Sequence, residues 1–166
     1  MVHTPRTRTP YKLSPPQIRL VDVHYIEITA YAEKTRLEAV KASLKQILPE
    51  NSCVSEEVLP PETEGGVFTK EIHSLKALLE KQDEVKEFVE KVKAGLSKKE
   101  LEQVRSNIQD LVDEDCNLYI RLDKKAAENG GYKLVASGDC IHVRIKLAVY
   151  PAKHEAAVEK ARRVFS

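Results

Sequence analysis

Between residues 116 and 150, apolar and polar positions alternate with a period of two along three runs, which predicts strands with one buried and one wet face. In the last run Ile141, Val143, Ile145, Leu147 and Val149 alternate with His142, Arg144, Lys146 and Ala148. In the first, Leu118, Ile120 and Leu122 point one way and Asn117, Tyr119, Arg121 and Asp123 the other, because successive side chains of a strand leave opposite faces. Pairing of the runs gathers Tyr119, Arg121, His142, Arg144 and Lys146 on the wet face, with Lys133 joining from the middle run.

The remaining pattern mixes strands and helices. From Ile18 to Tyr31 the chain is β-branched and aromatic. Ile26, Ile28 and Ala30 share a phase that Val21, Val23 and Tyr25 do not, which predicts a bulged strand or one covered on both faces. Thr35 and Glu38 have capping-box spacing ahead of a helical stripe, Leu37, Val40, Leu44, Ile47 and Leu48, and Pro49 ends it. Residues 52 to 59 and 67 to 73 read as short strands around PPETEGG, whose Gly65-Gly66 pair is a turn and lacks the rest of a phosphate-binding fingerprint. Leu75, Leu78 and Leu79 read as the start of a helix. Val85, Phe88, Val89 and Val92 form an apolar stripe ending near Gly95. Ser97 and Glu100 open another helix carrying Leu101, Val104, Ile108, Leu111 and Val112, and Val158, Ala161 and Phe165 mark a last one.

The expected architecture is α+β: a mixed or mostly antiparallel sheet of about six strands with helices on one face. Residues 1–16 hold four prolines and three cations with no acid, the composition of a flexible basic arm, so the single domain is expected over 17–166.

Charge changes this picture more than composition does. The net charge of +1 conceals an acidic middle, where residues 32–115 carry 13 Lys or Arg against 19 Asp or Glu, and a basic end, where residues 116–166 carry ten against five. An anionic partner at the two-faced strands follows. The acids of the two long helices, interleaved with Lys86, Lys91 and Lys93, read as a solvated face. A mean hydropathy of −0.41, no apolar run of membrane-spanning length and no uninterrupted apolar segment at the N-terminus favour a cytoplasmic protein without a membrane partner. Cys53, Cys116 and Cys140 are odd in number and far apart, and neither they nor the five histidines have metal-cluster spacing. No cofactor or metal is expected.

Two readings of the basic face stand side by side. As a nucleic-acid surface, its cations neutralise phosphates and Tyr119 stacks on an unpaired base; as plain solvated surface, the same residues keep an antiparallel sheet wet. An enzymatic alternative is a metal-dependent ribonuclease, with Asp113, Glu114, Asp115, Asp123 and Asp139 converging on Mg²⁺. SGD at 137–139 is also ordinary turn chemistry. Cationic neighbours disfavour a charged His142, which suits stacking better than proton transfer.

RLDKKAA at 121–127 and GDCIHVRIKLAVYPAK at 138–153 resemble an archaeal family of RNA-binding proteins related to the exosome. Arg121, Asp123, Lys124, Ala127, Asp139, His142, Arg144 and Lys146 fall on the family pattern. Lys125 stands where a glutamine is expected, and Gly66-Val67-Phe68 lacks the glycine and histidine of the family's central hairpin. The resemblance implies a fold similar to the ribosomal protein that binds the small RNA of the large subunit, and to double-stranded-RNA-binding domains. It also implies non-catalytic RNA binding in RNA processing or degradation, or in ribosome biogenesis. Arg121, Lys124, Arg144 and Lys146 are then expected on phosphates, Tyr119 and His142 on bases or sugars, and Asp123 and Asp139 as supports that orient the cations or shape the strand ends. The expected partners are RNA and exosome or other RNA-processing proteins. A protein-interaction subunit or homodimer using the acidic helices is the remaining alternative.

Overall fold

The computed structural model describes residues 22–61 and 70–166. The basic arm and the Gly65-Gly66 turn lie outside them. The elements are β1 (Val23–Glu33), a 3-10 turn (Lys34–Arg36), α1 (Leu37–Ile47), β2 (Val54–Leu59), β3 (Ile72–Leu79) and α2 (Gln82–Gly95). Then come α3 (Lys98–Leu111), β4 (Asn117–Leu122), α4 (Lys124–Glu128), β5 (Ile141–Leu147) and α5 (His154–Val164). Among the described residues, five strands form one sheet in the order β2-β3-β1-β5-β4, and every pairing is antiparallel. The α+β class and an antiparallel sheet are as expected, and the expected count of about six strands becomes five among the described residues.

The strand that drops out is the middle run. Four residues, Lys133 to Ala136, are too few for a ladder once α4 and its turn occupy the chain between them and β4. Only Leu134 bridges to Leu122. A second correction concerns Leu75, Leu78 and Leu79, which lie in β3 rather than at a helix start. Leu75 and Leu79 are buried while Leu78 is 47% exposed, so the i, i+4 spacing that resembles a helix here is two steps of a strand. A third concerns Thr35: the chain takes a 3-10 turn there, and α1 starts after Arg36 with no side-chain cap. The Ser97–Glu100 capping box forms, with Ser97 Oγ accepting from the Glu100 N–H (3.1 Å) and Glu100 Oε2 from the Ser97 N–H (3.3 Å).

The phase change in the first strand is a bulge. Val23 lies opposite Leu147 but Tyr25 lies opposite Lys146, leaving His24 as the extra residue. Beyond the bulge, Ile26, Ile28 and Ala30 align with Leu79, Ala77 and Leu75 of β3, and Ile145 and Val143 of β5 stand against Ile26 and Ile28. Leu118, Ile120 and Leu122 extend the apolar face to β4. It packs on the stripes of the helices, Val40, Leu44, Ile47, Val85, Phe88, Val92, Val104, Ile108, Val158 and Ala161 among them, in one continuous core. Burial of each large aliphatic or aromatic side chain is worth roughly 1.5–3 kcal/mol.

Candidate nucleic-acid interface

The side chains that leave the core side of the sheet meet in rows on its other face. One row runs from Tyr119 to Arg144, Glu27 and Leu78, and the next from Arg121 to His142, Thr29 and Lys76. Asn117, Lys146 and Tyr25 form a third. Tyr31, Leu78 and Tyr119 are 40%, 47% and 43% exposed, so this face is open among the described residues. Tyr25, Glu27 and Tyr31 join it through the alternation of β1, a signal present in the sequence. Lys76 needs β3 to be read as a strand.

The cations are held in place. Arg144 Nη2 donates to Glu27 Oε2 (3.2 Å), its guanidinium lies 5.9 Å from the Tyr25 ring centroid, and Lys76 Nζ stands 3.9 Å from the other Glu27 oxygen. One carboxylate thus lies between two cations, and the row keeps a positive surplus. Arg121 Nη1 donates to the Ala136 carbonyl (2.7 Å), and Lys146 Nζ donates to the Asp115 carbonyl. Both anchors are neutral, so each side chain keeps its full charge for an anion. Lys133 lies at the rim opposite Asp123, exposed and without an ion pair among the described residues.

His142 faces the Tyr31 ring edge-on, with centroids 6.2 Å apart. Burial, then the charges of Arg121 and Lys124, push its imidazole below the ordinary 6.5, so the ring is neutral at neutral pH. Burial also raises the Tyr119 phenol, helped by the Asp113 carboxylate. The face therefore offers uncharged rings, Tyr25, Tyr31, Tyr119 and His142, between fixed cations.

Lys124 has a different place. It sits in α4, its ammonium donating to Asp139 Oδ1 (2.6 Å) and to the Tyr31 carbonyl, with its side chain only 13% exposed. Asp139 is turned toward it by Gly138, whose φ of +91° suits glycine. Asp123 caps α4 by accepting from the Ala126 N–H (3.3 Å). Asp113 closes the turn into β4, accepting from the main-chain N–H groups of Asp115 (3.0 Å) and Asn117 (2.8 Å) and from the Asn117 amide (3.2 Å). Burial opposes its ionised form, but those donors prevail and hold its carboxyl below the usual range. Of the acids that were candidates for a shared Mg²⁺, Asp113, Asp123 and Asp139 have separate structural tasks, and among the described residues no group of three or more His, Cys, Asp or Glu is arranged to hold a metal ion. No helix among them is long and apolar enough to cross a membrane.

Comparison with known proteins agrees in one respect. A family described as RNA binding matches residues 25–147. The chain is 33% identical over 146 residues to the RNA-binding protein PAB1135 of Pyrococcus abyssi, covering 86% of this chain and 93% of that protein. Among solved structures, protein AF2318 of Archaeglobus fulgidus is similar with a TM-score of 0.74 at 26% identity, covering 86% of this chain and 99% of that one. Mth689 of Methanothermobacter thermautotrophicus, a DUF54 protein, is similar with a TM-score of 0.67 at 30% identity, covering 87% and 99%.

Proposed function

The chain belongs to the RNA-binding family, and from that premise we propose that it binds RNA, without catalysing a reaction, on the open face of its sheet. One observation carries the reading: the register that sets Tyr119 beside Arg144 and Arg121 beside His142, with Tyr25 and Tyr31 in the neighbouring strand. Arg121, Arg144, Lys146 and Lys133 neutralise phosphates, and the uncharged rings between them stack on bases or pack on sugars. Lys124 and Asp139 act as a pair that fixes the sheet end, and Asp123 sets the start of α4. In the cell the protein serves as a cytoplasmic accessory factor in RNA processing or degradation, or in ribosome biogenesis, a placement that rests on the resemblance to exosome-related proteins.

Salt-titrated binding of the full chain to structured and single-stranded RNA tests this. The expected result is an affinity that falls linearly on a log–log plot against salt, with a slope reflecting several phosphate contacts. Affinity equal to that of an unrelated neutral protein overturns it. Mg²⁺-dependent cleavage abolished by Asp123→Asn would replace it with the nuclease reading.

A further inference from the structure

Glu27 stands among the cations and rings of the open face, on β1, the middle strand of the sheet, with Arg144 beside it on β5 and Leu78 beside it on β3. A carboxylate there repels the phosphates that the surrounding cations attract. Holding Arg144 accounts for one of its oxygens, since Oε2 accepts from Arg144 Nη2 at 3.2 Å. The other, Oε1, accepts no hydrogen bond among the described residues, and the Lys76 ammonium stands off it at 3.9 Å. The Glu27 side chain is 23% exposed and that of Lys76 49%, so both charged ends reach solvent on the open side. Leu78, 47% exposed, offers an apolar surface next to them.

We infer that Glu27 is the base-reading residue of the open face and that it selects an unpaired guanine. The inference rests on the RNA-binding reading and adds a sequence preference to it. A carboxylate accepts hydrogen bonds and donates none, and its two oxygens carry about four lone-pair sites. Oε2 can therefore keep Arg144 and still receive a second donor. Among the RNA bases only guanine has two adjacent donors on its Watson–Crick edge, N1–H and N2–H. Cytosine and adenine place one amino donor beside a ring-nitrogen acceptor, and uracil sets its single N3–H between two carbonyls. Each of these turns a lone pair toward the acid. Guanine also carries an acceptor, O6, next to N1. The order donor, donor, acceptor matches a carboxylate with a cation at its side, and Lys76, whose ammonium makes no hydrogen bond among the described residues, supplies that cation. Leu78 takes the face of the ring. A guanine paired in a duplex has this edge occupied, which confines the reading to loops, bulges and single strands.

The test measures binding of the full chain to a short uridine-rich RNA with one central guanosine, and to the same RNA with inosine or adenosine in its place. Inosine keeps N1–H and O6 and lacks only the 2-amino group, so the comparison isolates one donor to the acid. The wild-type chain is expected to bind the guanosine RNA roughly tenfold more tightly than the inosine RNA, the scale of one hydrogen bond to a charged group. Adenosine, with an acceptor in place of N1–H, should bind no better than inosine. In Glu27→Ala the acceptors are gone, and guanosine and inosine should bind alike. If Glu27 served only to hold Arg144, the variant would change all three affinities by the same factor and leave the guanosine advantage intact, and that result overturns the inference. So does a wild-type chain that does not distinguish guanosine from inosine, a comparison made on the RNA and independent of how any variant folds; RNA binding itself would then stand. A wild-type chain that binds none of the three overturns the RNA-binding reading instead.

Discussion

The sheet ends in two unlike edges. At one, β2 pairs only with β3 and is mostly exposed on both faces, with Val58 half in solvent. Its fixtures are charges: Glu56 receives Lys41 Nζ at 2.8 Å and His73 Nδ1 at 2.7 Å, while His73 Nε2 reaches Glu71 at 3.0 Å, and Glu57 stands in solvent. At the other edge, β4 buries Leu118, Ile120 and Leu122 in the core and is closed by main-chain bonds from 113 and 135. Both designs discourage another strand from adding. The acidic edge does so by repulsion and desolvation, and it repels a polyanion as well. The basic side does so by hydrogen bonds from flanking segments of its own chain, which leaves its cations available for one. On the proposed RNA-binding reading, this separation of sign across a single sheet would orient a nucleic acid on it.

The strongest way to break this comparison is to remove cations from the β4 side. Arg121→Ala combined with Lys146→Ala should weaken RNA binding on the order of a hundredfold at low salt and flatten the salt slope by about two. A loss without change of slope would show that these side chains do not meet phosphates.

The next effect is on stability. Gly95 ends α2 where the Tyr132 ring lies across it, and a Cβ there would stand 2.3 Å from Tyr132 Cδ2. The ring cannot swing freely, because its hydroxyl donates to the Ile47 carbonyl (2.8 Å), and burial, with the Glu87 charge, pushes its phenol up to about 12. Gly95→Ala should therefore cost about 1–3 kcal/mol in urea unfolding, despite alanine's better helix propensity.

Acid should release the two edges differently. The Lys41 and His73 bonds hold Glu56 below 4.5, and the amide donors hold Asp113 below 3.8. Because both folded values are depressed, both stabilising contributions are complete above the ordinary values and are lost as pH falls through the lowered ones. Hydrogen exchange near pH 3 should show both edges loosening. In 1 M salt at neutral pH only β2 should loosen, since its exposed ion pairs are screened and the Asp113 bonds to neutral amides are not. The smallest effect is expected from Glu57→Lys: RNA affinity within about twofold or slightly higher, with more self-association as the edge loses a repelling charge.

The two sides also differed in how plainly the sequence displayed them. Strands β4 and β5, and β1 with its bulge, follow from alternation because one face is dry and the other carries Lys, Arg and Tyr. Strand β3 was obscured by Leu75, Leu78 and Leu79, whose spacing suits a helix; the deciding alternation is His73, Leu75, Ala77 and Leu79 against Ser74, Lys76 and Leu78. With β3 misread, Lys76 could not be placed on the open face. Glu27 stands in that face by simple alternation, yet its bond to Arg144 depends on register between strands 117 residues apart. Lys124 carried the family pattern without revealing that its charge is held by Asp139.

The distribution of aromatic residues has an optical consequence. The chain has six tyrosines and no tryptophan, and three of the six, Tyr25, Tyr31 and Tyr119, stand in the open face while Tyr132 is fastened behind the sheet. Its ultraviolet emission therefore comes from tyrosine alone, and a base stacking on the open face quenches emitters that already belong to the protein. Occupancy of that face can be followed in the unlabelled chain.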